Sequence, residues 1–372
     1  MREMTALELR QQLEAGEAID VVDIRDEPEF VGWNIHGSRN VPVYSQLKMG
    51  DDHSLVARVD EIPKDKTIVT VCRAGFMSQR AALILEQFGY DVISLQGGIR
   101  GWGAVWSVAP IETGVEGAVF LQVRRNGKGC LSYLFGKDGE AAVVDPSVDV
   151  DAYLEIAQQH GLKISQVVET HVHADHLSRA RELARLTGAP LLMAQNDRVQ
   201  YDYEPVGDGT QLQLGGLQVE AIATPGHTGE SLCYLVEGRL LLTGDTLFAT
   251  AVGRPDLEQG DEGAEEGAHA LYRSLHTRLL SRFESLPFYP AHTSDAVGFD
   301  QKPIGGDLSD TREQQPLLQL DESAFVTRVL DSLQAKPPNH HAIISINEGK
   351  QELGLVDPLD VEAGPNRCAA GN

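Results

Sequence analysis

The first hundred residues of the chain alternate short apolar runs with amphipathic stretches. The apolar runs are rich in β-branched residues and have the length of buried strands, and they cover Ala18–Arg25, Thr67–Cys72 and Asp91–Leu95. Helical periodicity lies between them, most clearly at Ser78–Phe88, which stops before Gly89. The N-terminal stretch is a further helix, with Thr5 and Glu8 placed as a capping box. Strands that alternate with helices predict an α/β unit with a parallel sheet.

A second pattern begins near Thr113, where strands follow one another through turns that contain Gly or Asp. The segments VFLQVRR, GCLSYLFG and EAAVVDP predict consecutive strands, and a helix is expected near Val150–His160. The strand VVETH and a hairpin-rich stretch from Thr210 to Leu247 complete the pattern. Strand-rich halves interleaved with helices favour an α/β sandwich.

These two patterns divide the chain into domains. We expect a first domain at 1–107, a linker at 108–113 that contains Pro110, a second domain at 114–372 and a frayed tail after Gly364. The length of 372 residues agrees with more than one hydrophobic core.

Charge and cysteine usage exclude several classes of protein. Asp and Glu number 55 against 31 Lys and Arg, a formal charge of −24, so nucleic acid and anionic lipid membranes are not expected partners. No apolar run is long enough to span a membrane, and the N-terminus lacks the pattern of a secretory signal. The four cysteines form no CxxC pair, which argues against a disulfide scaffold and indicates a reducing cytoplasm.

The first candidate for chemistry is Cys72, which ends a predicted strand just before a helix that begins near Ser78. Backbone N–H groups of a tight Gly-containing loop and the positive end of the helix would stabilise a thiolate or the outer sulfur of a persulfide. Arg73 adds positive charge and is a candidate substrate-binding residue. The alternative is a packed core thiol. A phosphatase or arsenate reductase would need an arginine six positions after the cysteine, where this chain has Ser78.

Several spaced motifs of this region together resemble a single-domain rhodanese over about residues 3–106. They are DIR at 23–25, HG and NVP within 36–42, CRAGFMS at 72–78 and GGIRGW at 97–102. The resemblance implies that Cys72 accepts a sulfane sulfur and passes it to a thiol. Many rhodanese loops carry Arg where this chain has Met77, which disfavours thiosulfate, the usual anionic donor, and favours a neutral or differently anchored persulfide.

Four motifs of the second region carry imidazoles and carboxylates. Each follows an apolar run, and a sheet gathers such loop residues at one edge. The motifs are THVHADH with His171, His173, Asp175 and His176, PGH with His227, LLTGD with Asp245 and YPAH with His292. Ligands of these types suit Zn, Fe or Mn. A lone histidine is usually structural, but four motifs in this order predict a metal site.

The order HxHxDH, PGH, GD and AH resembles the metallo-β-lactamase superfamily over about residues 113–350. The resemblance implies a four-layer αββα sandwich, so that the whole chain is an α/β protein with a rhodanese-like parallel-sheet domain followed by this sandwich. Two branches of the superfamily remain open. Glyoxalase II-like hydrolases use the full set of ligands for two metals and cleave a thioester. Persulfide dioxygenases use a single non-haem Fe(II).

In the dioxygenase branch, the implied iron ligands are His171, His227 and Asp245, a set that leaves positions open for a persulfide and O2. The other residues of the motifs would then orient these ligands and move protons, or bind a second metal in the hydrolase branch: His173, Asp175, His176 and His292.

Three features favour the dioxygenase branch. The fused rhodanese handles the sulfur species that this chemistry consumes. The stretch 244–260 resembles the GRxD segment of persulfide dioxygenases, in which Arg254 is a candidate anion clamp oriented by Asp256. A purely structural ion pair between the two is the alternative. The stretch 336–349 resembles the end of that branch, without the helical glutathione-binding domain of glyoxalase II.

The sequence predicts no chemical role for the remaining cysteines. Cys130 and Cys233 are expected to be packed core thiols, and Cys368 is expected to lie in the tail without a role.

The sequence therefore predicts a bifunctional enzyme. One Fe(II) per chain would oxidise glutathione persulfide, or a similar low-molecular-weight persulfide, with O2 to sulfite and a thiol, while Cys72 transfers sulfane sulfur. One alternative is a dinuclear zinc thioester hydrolase with an accessory rhodanese module, and another is a rhodanese domain that senses sulfur or docks without turnover. Expected partners are the persulfide, O2 and a thiol, and membership of this superfamily is compatible with a homodimer.

Overall fold

The computed structural model describes residues 1–258, 260–337, 339–364 and 367–371. Its N-terminal domain is a five-stranded, all-parallel sheet in the order β1-β5-β4-β2-β3. The strands are β1 (Arg2–Met4), β2 (Ile19–Asp23), β3 (Arg39–Asn40), β4 (Thr67–Val71) and β5 (Val92–Leu95). The helices are α1 (Ala6–Glu14), α2 (Glu27–Gly32), α3 (Tyr44–Lys48), α4 (His53–Val56), α5 (Phe76–Gln87) and α6 (Gly98–Trp102), with a 3-10 turn at Val59–Glu61.

Alternate side chains of the central strands enter two buried clusters, one on each face of this sheet. Val22 packs with Cys72 on one face, and Val21 packs with Val71 on the other. The predicted strands and helix are confirmed, and so is the capping box of α1. The sequence missed β1, which forms the edge of the sheet beside β5.

The second domain contains two large sheets and one short one. The seven-stranded sheet has the order β12-β11-β10-β9-β8-β7-β6, the six-stranded sheet β13-β14-β15-β16-β18-β19, and the short sheet β17-β20. The strands of the first sheet are β6 (Ser107–Pro110), β7 (Val119–Arg124), β8 (Leu131–Lys137), β9 (Glu140–Val144), β10 (Lys163–Val168), β11 (Leu191–Ala194) and β12 (Glu204–Val206). Those of the other two are β13 (Gln211–Leu214), β14 (Leu217–Ala223), β15 (Leu232–Val236), β16 (Leu240–Gly244), β17 (Val252–Gly253), β18 (Pro287–Pro290), β19 (Gly306–Asp307) and β20 (Ala369–Ala370).

The described part of the second domain also contains helices. They are α7 (Val150–Gln159), α8 (Ala180–Thr187), α9 (Gly260–Arg273), α10 (Leu308–Gln314), α11 (Glu322–Asp331), α12 (His340–Asn347) and α13 (Pro358–Val361), with a π-helical turn at Ser274–Leu280 and a 3-10 turn at Pro316–Gln319. One apolar cluster lies between the sheets, a second packs α7 and α8 on the first sheet, and a third packs α9 and α11 on the second. This arrangement is the predicted αββα sandwich.

Two boundaries differ from those that the sequence suggests. Part of the predicted linker at 108–113 belongs to β6, because Ser107–Pro110 pairs with β7 as the edge strand of the first sheet, where a proline is tolerated. The expectation of a frayed tail is wrong for 367–371, since Ala369–Ala370 pairs with β17 and Cys368 is buried. No described helix is long and apolar enough to cross a membrane.

The two domains share a packed interface. The Trp102 ring of the first domain meets Phe299 of the second edge-on, and Trp33 packs against Gly129. Arg125 donates from Nε to the Gly103 carbonyl over 2.9 Å. The first domain therefore packs directly against the sandwich.

Candidate metal centre and cysteine loop

The Cys72 loop connects β4 to α5 as the sequence predicts. Gly75, in the left-handed conformation at φ 97°, directs its N–H to Cys72 Sγ over 3.1 Å, and α5 begins at the next residue. Ser78 Oγ lies 3.4 Å from the same sulfur. Ser78 Oγ accepts from the Cys72 thiol and donates to the Gly75 carbonyl, so the Gly75 N–H and the helix N-terminus are the features that suit an anionic sulfur.

A second loop fixes the position of Cys72 from behind. Ile99 donates its N–H to the Cys72 carbonyl over 2.8 Å. Gly98 has φ 57°, and a Cβ at this position would lie 2.3 Å from the Cys72 carbonyl oxygen. Only glycine allows this approach, which explains the GG of the GGIRGW motif.

Arg73 points away from Cys72 toward Glu29. Its Nε and Nη2 each donate to a Glu29 carboxylate oxygen over 2.7 Å, and its guanidinium lies 4.5 Å from the centre of the Tyr44 ring. The charge of Arg73 is thus compensated, and its role in substrate binding stays a prediction.

The residues of the four metal motifs lie just after the ends of strands and meet in a buried centre between the two large sheets. His171 follows β10, His227 follows β14, Asp245 follows β16 and His292 follows β18. Each has at most 2% of its surface exposed. The topology therefore gathers residues that are more than a hundred positions apart in the sequence.

Three of these residues form a compact donor set. The Nε2 atoms of His171 and His227 lie 3.7 and 3.5 Å from Asp245 Oδ2. All three atoms are buried and have no hydrogen-bond partner among the described residues. Metal bonds of these ligands are about 2.0–2.2 Å long, so one ion among the three fits the observed separations. Such orphaned atoms facing one another are what a metal site requires.

Hydrogen bonds at the Nδ1 atoms of His171 and His227 leave their Nε2 atoms free to bind a metal. Thr170 Oγ1 donates to Asp145 Oδ2 over 2.8 Å and so accepts from His171 Nδ1–H over 2.9 Å. His227 Nδ1–H donates to the Arg254 carbonyl over 2.8 Å. Both imidazoles therefore present the lone pair of Nε2 to the centre. Burial lowers the pKa of His171 well below its usual value, and its histidine neighbours lower it further, which keeps it neutral as a ligand must be.

A second group adjoins the first and consists of Asp175, His176, His292 and Cys130. Asp175 lies 3.0 Å from His176 Nδ1 and 2.8 Å from His292 Nε2. His292 Nδ1 also donates to Asp245 Oδ1 over 2.6 Å, which links the two groups. Burial alone would lower the pKa of His292, but Asp175 and Asp245 raise it well above its usual value.

His173 directs its Nε2 atom toward two carboxylates rather than toward the donor set. Its Nε2 lies 3.1 Å from Glu169 Oε2 and 3.3 Å from Asp145 Oδ1. Burial would lower the pKa of His173, but these two carboxylates raise it well above the usual value. The sequence predicted His173 but not its acidic partners. Asp145 is the first residue after β9 in the run EAAVVDP, so its place at a strand end was the available signal.

Arg254 is buried in an ion pair with Asp256. Its Nε and Nη2 donate to the Asp256 carboxylate over 2.7 and 2.9 Å, and its other contacts are the carbonyls of Gln334 and Arg367. This geometry is the structural alternative weighed from the sequence. Arg254 thereby ties β17 to the C-terminal segment, and anion binding by Arg254 stays a prediction.

Two cysteines that received no role from the sequence lie at this centre. Cys130 Sγ is 3.8 Å from Asp175 Oδ2, and Cys368 belongs to a group with Asp245 and His292. Burial raises the pKa of Cys130, but His176 and further imidazole contacts lower it to about 6. Cys368 does not lie in a frayed tail, because the segment that forms β20 brings it beside the metal centre, and its lack of a role stays a prediction. Cys233, in contrast, is the expected core thiol, which contacts Thr224 and the Thr243 carbonyl.

Comparison with protein families supports both halves of the fold. Residues 5–105 match the rhodanese-like domain, and residues 125–293 match the metallo-beta-lactamase superfamily. The crystal structure of ETHE1 from Myxococcus xanthus superposes with a TM-score of 0.54 at 26% identity, and covers 62% of this chain and 99% of that chain.

Curated relatives fall into two groups. The mitochondrial persulfide dioxygenase ETHE1 of Bos taurus is 30% identical over 235 residues, which is 61% of this chain and 86% of that protein. The hydroxyacylglutathione hydrolase of Anaeromyxobacter dehalogenans (strain 2CP-C) is 41% identical over 132 residues, 35% of this chain and 51% of the hydrolase. The chain therefore spans most of the dioxygenase but only about half of the hydrolase.

Proposed function

Since the chain belongs to the persulfide dioxygenase family of the metallo-β-lactamase superfamily and carries a rhodanese-like domain before it, we propose that it oxidises a persulfide with O2 and transfers sulfane sulfur through Cys72. Glutathione persulfide or a similar low-molecular-weight persulfide is the proposed substrate, and sulfite and the thiol are the products. A cytoplasmic location and a homodimer stay predictions.

The observation that carries the proposal is the set of three unpartnered atoms on His171, His227 and Asp245. Two imidazoles and one carboxylate are the ligands of mononuclear Fe(II) oxygenases, with one face of the ion left open. When bound, Fe(II) would supply positions at which a persulfide sulfur and O2 meet. The second group also has two imidazole atoms without a hydrogen-bond partner among the described residues, His176 Nε2 and His292 Nε2, so the preference for one metal over two rests on the relationship to the persulfide dioxygenases.

The other residues act on protons and on ligand orientation. Thr170 and Asp145 hold the tautomer of His171. His292 bridges Asp175 and Asp245 and is the group placed to give a proton to an anionic product or to take one from a thiol. Because the centre is buried, these transfers proceed with little competition from bulk water.

The rhodanese half would use Cys72 as the nucleophile. The Gly75 N–H and the N-terminus of α5 would stabilise its thiolate, which attacks the sulfane sulfur of a donor. The donor's own bond to that sulfur breaks, the remainder of the donor leaves as an anion, and Cys72 becomes a persulfide. The same donors then stabilise the outer sulfur until a thiol or sulfite accepts it. In the alternative in which the rhodanese domain senses sulfur or serves as a docking module, Cys72 does not catalyse sulfur transfer.

A pair of variants tests the two halves separately. His227→Ala removes one proposed ligand, so we expect loss of bound iron and of O2 uptake with persulfide, while the Cys72 transfer rate is retained. Cys72→Ser should remove sulfur transfer and leave O2 uptake intact. O2 uptake that survives in His227→Ala protein would refute the ligand set, and sulfur transfer that survives in Cys72→Ser protein would refute the nucleophile.

The hydrolase alternative is supported by the match to hydroxyacylglutathione hydrolases and by His176 Nε2, which also has no partner among the described residues. It predicts two zinc ions and cleavage of S-lactoylglutathione-type thioesters. Thioester cleavage by zinc-loaded protein together with no O2 uptake by iron-loaded protein would replace the proposed function by this one.

A further inference from the structure

A cavity of about 410 Å³ lies on the second domain beside the metal motif, between α8 and the end of α12. Leu177 and Ser178, the residues directly after His176, line it, and so do Ile346 and Asn347 of α12. Its volume is within the range of small-molecule sites, which is about 300–1,000 Å³. None of its lining side chains takes part in the persulfide chemistry proposed above.

Three arginines of the lining have no anionic partner. Among the described residues, Arg179, Arg181 and Arg185 form no ion pair and donate no side-chain hydrogen bond. The Nε atom of Arg179 is buried without an acceptor, which indicates a ligand or water that supplies one. Nearby Arg198, in contrast, is neutralised by three glutamates. The three arginines therefore keep their full charge in one cavity.

Two of these arginines lie where a helix disfavours positive charge. Arg179 is the N-cap residue of α8 and forms no capping hydrogen bond, and Arg181 is in the first turn. The dipole of a helix is positive at this end and favours anions. Arg181 and Arg185 are also four residues apart, a spacing at which like charges repel each other. The acidic residues of the lining, Glu182 and Glu352, form no ion pair with any of the three. An anion between the arginines would relieve both penalties.

The rest of the lining includes an apolar and aromatic surface. Leu177, Ile346 and Leu353 contribute aliphatic side chains, and Tyr201 contributes its ring. The guanidinium carbon of Arg181 lies 4.7 Å from the centre of the Tyr201 ring, a contact that holds the side chain in place and leaves its charge uncompensated. A cavity with a cationic wall and an apolar wall fits an anion that carries an organic group.

We propose that this cavity binds a phosphorylated organic anion of the size of a nucleoside diphosphate. A guanidinium donates two parallel hydrogen bonds to a phosphoryl group, so Arg179, Arg181 and Arg185 would hold the phosphates. The aliphatic side chains would cover the base or another organic part. Because the chain has a formal charge of −24, most of its surface repels such a ligand, and the unpaired arginines concentrate the attraction in this cavity.

Hydrogen bonds connect the cavity to the metal motif. Asn347 is 7% exposed, and its Nδ2 donates to the carbonyls of His173 and His176, each over 2.8 Å. Its Oδ1 accepts from the N–H of Ser178 over 2.9 Å. Ser178 Oγ donates to Glu169, whose other carboxylate oxygen lies 3.1 Å from His173 Nε2. A ligand that holds α8 and α12 together would therefore also order the loop that carries the metal motif.

Binding in the cavity and binding of the metal are thus coupled, and the occupied cavity favours the metal-bound state. This coupling rests on the metal site of the proposed function. Binding of the phosphorylated ligand does not rest on it.

The first experiment is a calorimetric titration of ADP into the full-length protein. Arg181→Gln and Arg185→Gln should each weaken ADP binding about tenfold or more, because a charge-assisted hydrogen bond to phosphate is lost. Arg328→Gln is the matched control. Like Arg185, Arg328 is an exposed arginine in the last turn of a helix, forms no ion pair among the described residues and differs in lying outside the cavity. This control should change the affinity less than about twofold.

Three further ligands test the chemical class. Pyrophosphate should bind at least about fivefold more weakly than ADP, because it lacks the organic part, and adenosine should show no measurable binding. Equal affinities for pyrophosphate and ADP would contradict the role of the apolar wall. Displacement of ADP by equimolar glutathione would show that the cavity takes a carboxylate. Absence of ADP binding, or equal ADP affinity in the parent and the two arginine variants, would overturn the proposal.

The coupling is tested by competition between the protein and a chelator for Zn(II), with and without ADP. ADP should tighten metal binding about fivefold or more in the parent protein. The Arg181→Gln/Arg185→Gln double variant corrects for chelation of the metal by ADP itself, and it should show no tightening. The same metal affinity with and without ADP in the parent protein would refute the coupling through Asn347. Iron-loaded protein that consumes no O2 would refute the proposed dioxygenase function and leave the ADP titrations unaffected.

Discussion

Gly98→Ala is the substitution whose effect the structure defines most closely. Gly98 has φ 57°, and an alanine Cβ would lie 2.3 Å from the Cys72 carbonyl oxygen and 2.9 Å from the Ala74 nitrogen. These are backbone atoms, so no side chain can rotate away. The left-handed conformation costs a non-glycine residue about 1–2 kcal/mol. Forcing an extra methyl against packed atoms adds about 1–3 kcal/mol. We expect a total destabilisation of about 2–5 kcal/mol for the first domain.

Gly37→Ala is the matched control. Gly37 lies in the same domain at φ 75°, and no atom lies within 4 Å of the position that an alanine Cβ would take, so only the conformational cost of about 1–2 kcal/mol applies. The assay combines urea unfolding, followed by Trp fluorescence, with the rate at which Cys72 acquires a persulfide, followed by intact mass. Gly98→Ala should slow persulfide formation at least about tenfold under conditions where the protein is folded, while Gly37→Ala should change it less than twofold. Equal stability and equal rates for the two variants would refute the argument that Gly98 positions the loop.

Three further predictions concern the second domain. Thr170→Val removes the hydrogen bond to His171 Nδ1 and should weaken iron binding about 10–100-fold in a chelator competition, whereas exposed-helix Thr327→Val should not. Burial would raise the pKa of Glu362, but Arg125 lowers it below its usual value. The ionised carboxylate therefore stabilises the fold at pH values above its unfolded pKa, and this contribution is lost as the pH falls through its folded pKa. Glu362→Gln should make stability less dependent on pH on the acid side when urea midpoints are measured, and an unchanged slope would contradict this. Burial raises the pKa of Cys233 to about 11, so iodoacetamide at pH 8 should label it only after unfolding, and rapid labelling of native protein would show that the thiol is accessible.

Much of the fold could be predicted because local patterns agreed with the final structure. The buried parallel strands of the first domain are continuous β-branched runs, and Gly89 marked the end of α5. The start of α5 was placed two residues late, at Ser78, because the helix begins as soon as left-handed Gly75 turns the chain. The edge strands β1 and β6 were missed because short strands depend on their neighbours rather than on their own pattern.

The candidate metal site was predictable from residue identity rather than from secondary-structure patterns, since its histidines and aspartates are uncommon residue types at fixed spacing. The additional members Cys130 and Cys368 were not, because tertiary pairing places them there. Cys130 meets His292 in an isolated bridge between the two large sheets, and Cys368 arrives through the β17–β20 pair. Neither residue differs in sequence from a packed thiol, so only the assembled sandwich reveals where they lie.

Charge compensation is likewise invisible in the sequence. Arg73 and Arg254 stand where an anion-binding arginine is expected, yet each is paired with a carboxylate, whereas the buried Lys128 has no carboxylate partner among the described residues and donates to backbone carbonyls. Arg254 and Asp256 are only two positions apart in the sequence, but Arg73 meets Glu29 of α2, 44 residues away. Which cation keeps an uncompensated charge is decided by packing between the domains.

The most direct test of the central claim is O2 consumption by full-length protein, loaded anaerobically with Fe(II) and given glutathione persulfide, with metal and sulfite measured on the same sample. The account predicts rapid uptake, one sulfite formed per O2 consumed and about one iron bound per chain. No uptake from protein that binds two zinc ions and cleaves a glutathione thioester would contradict it.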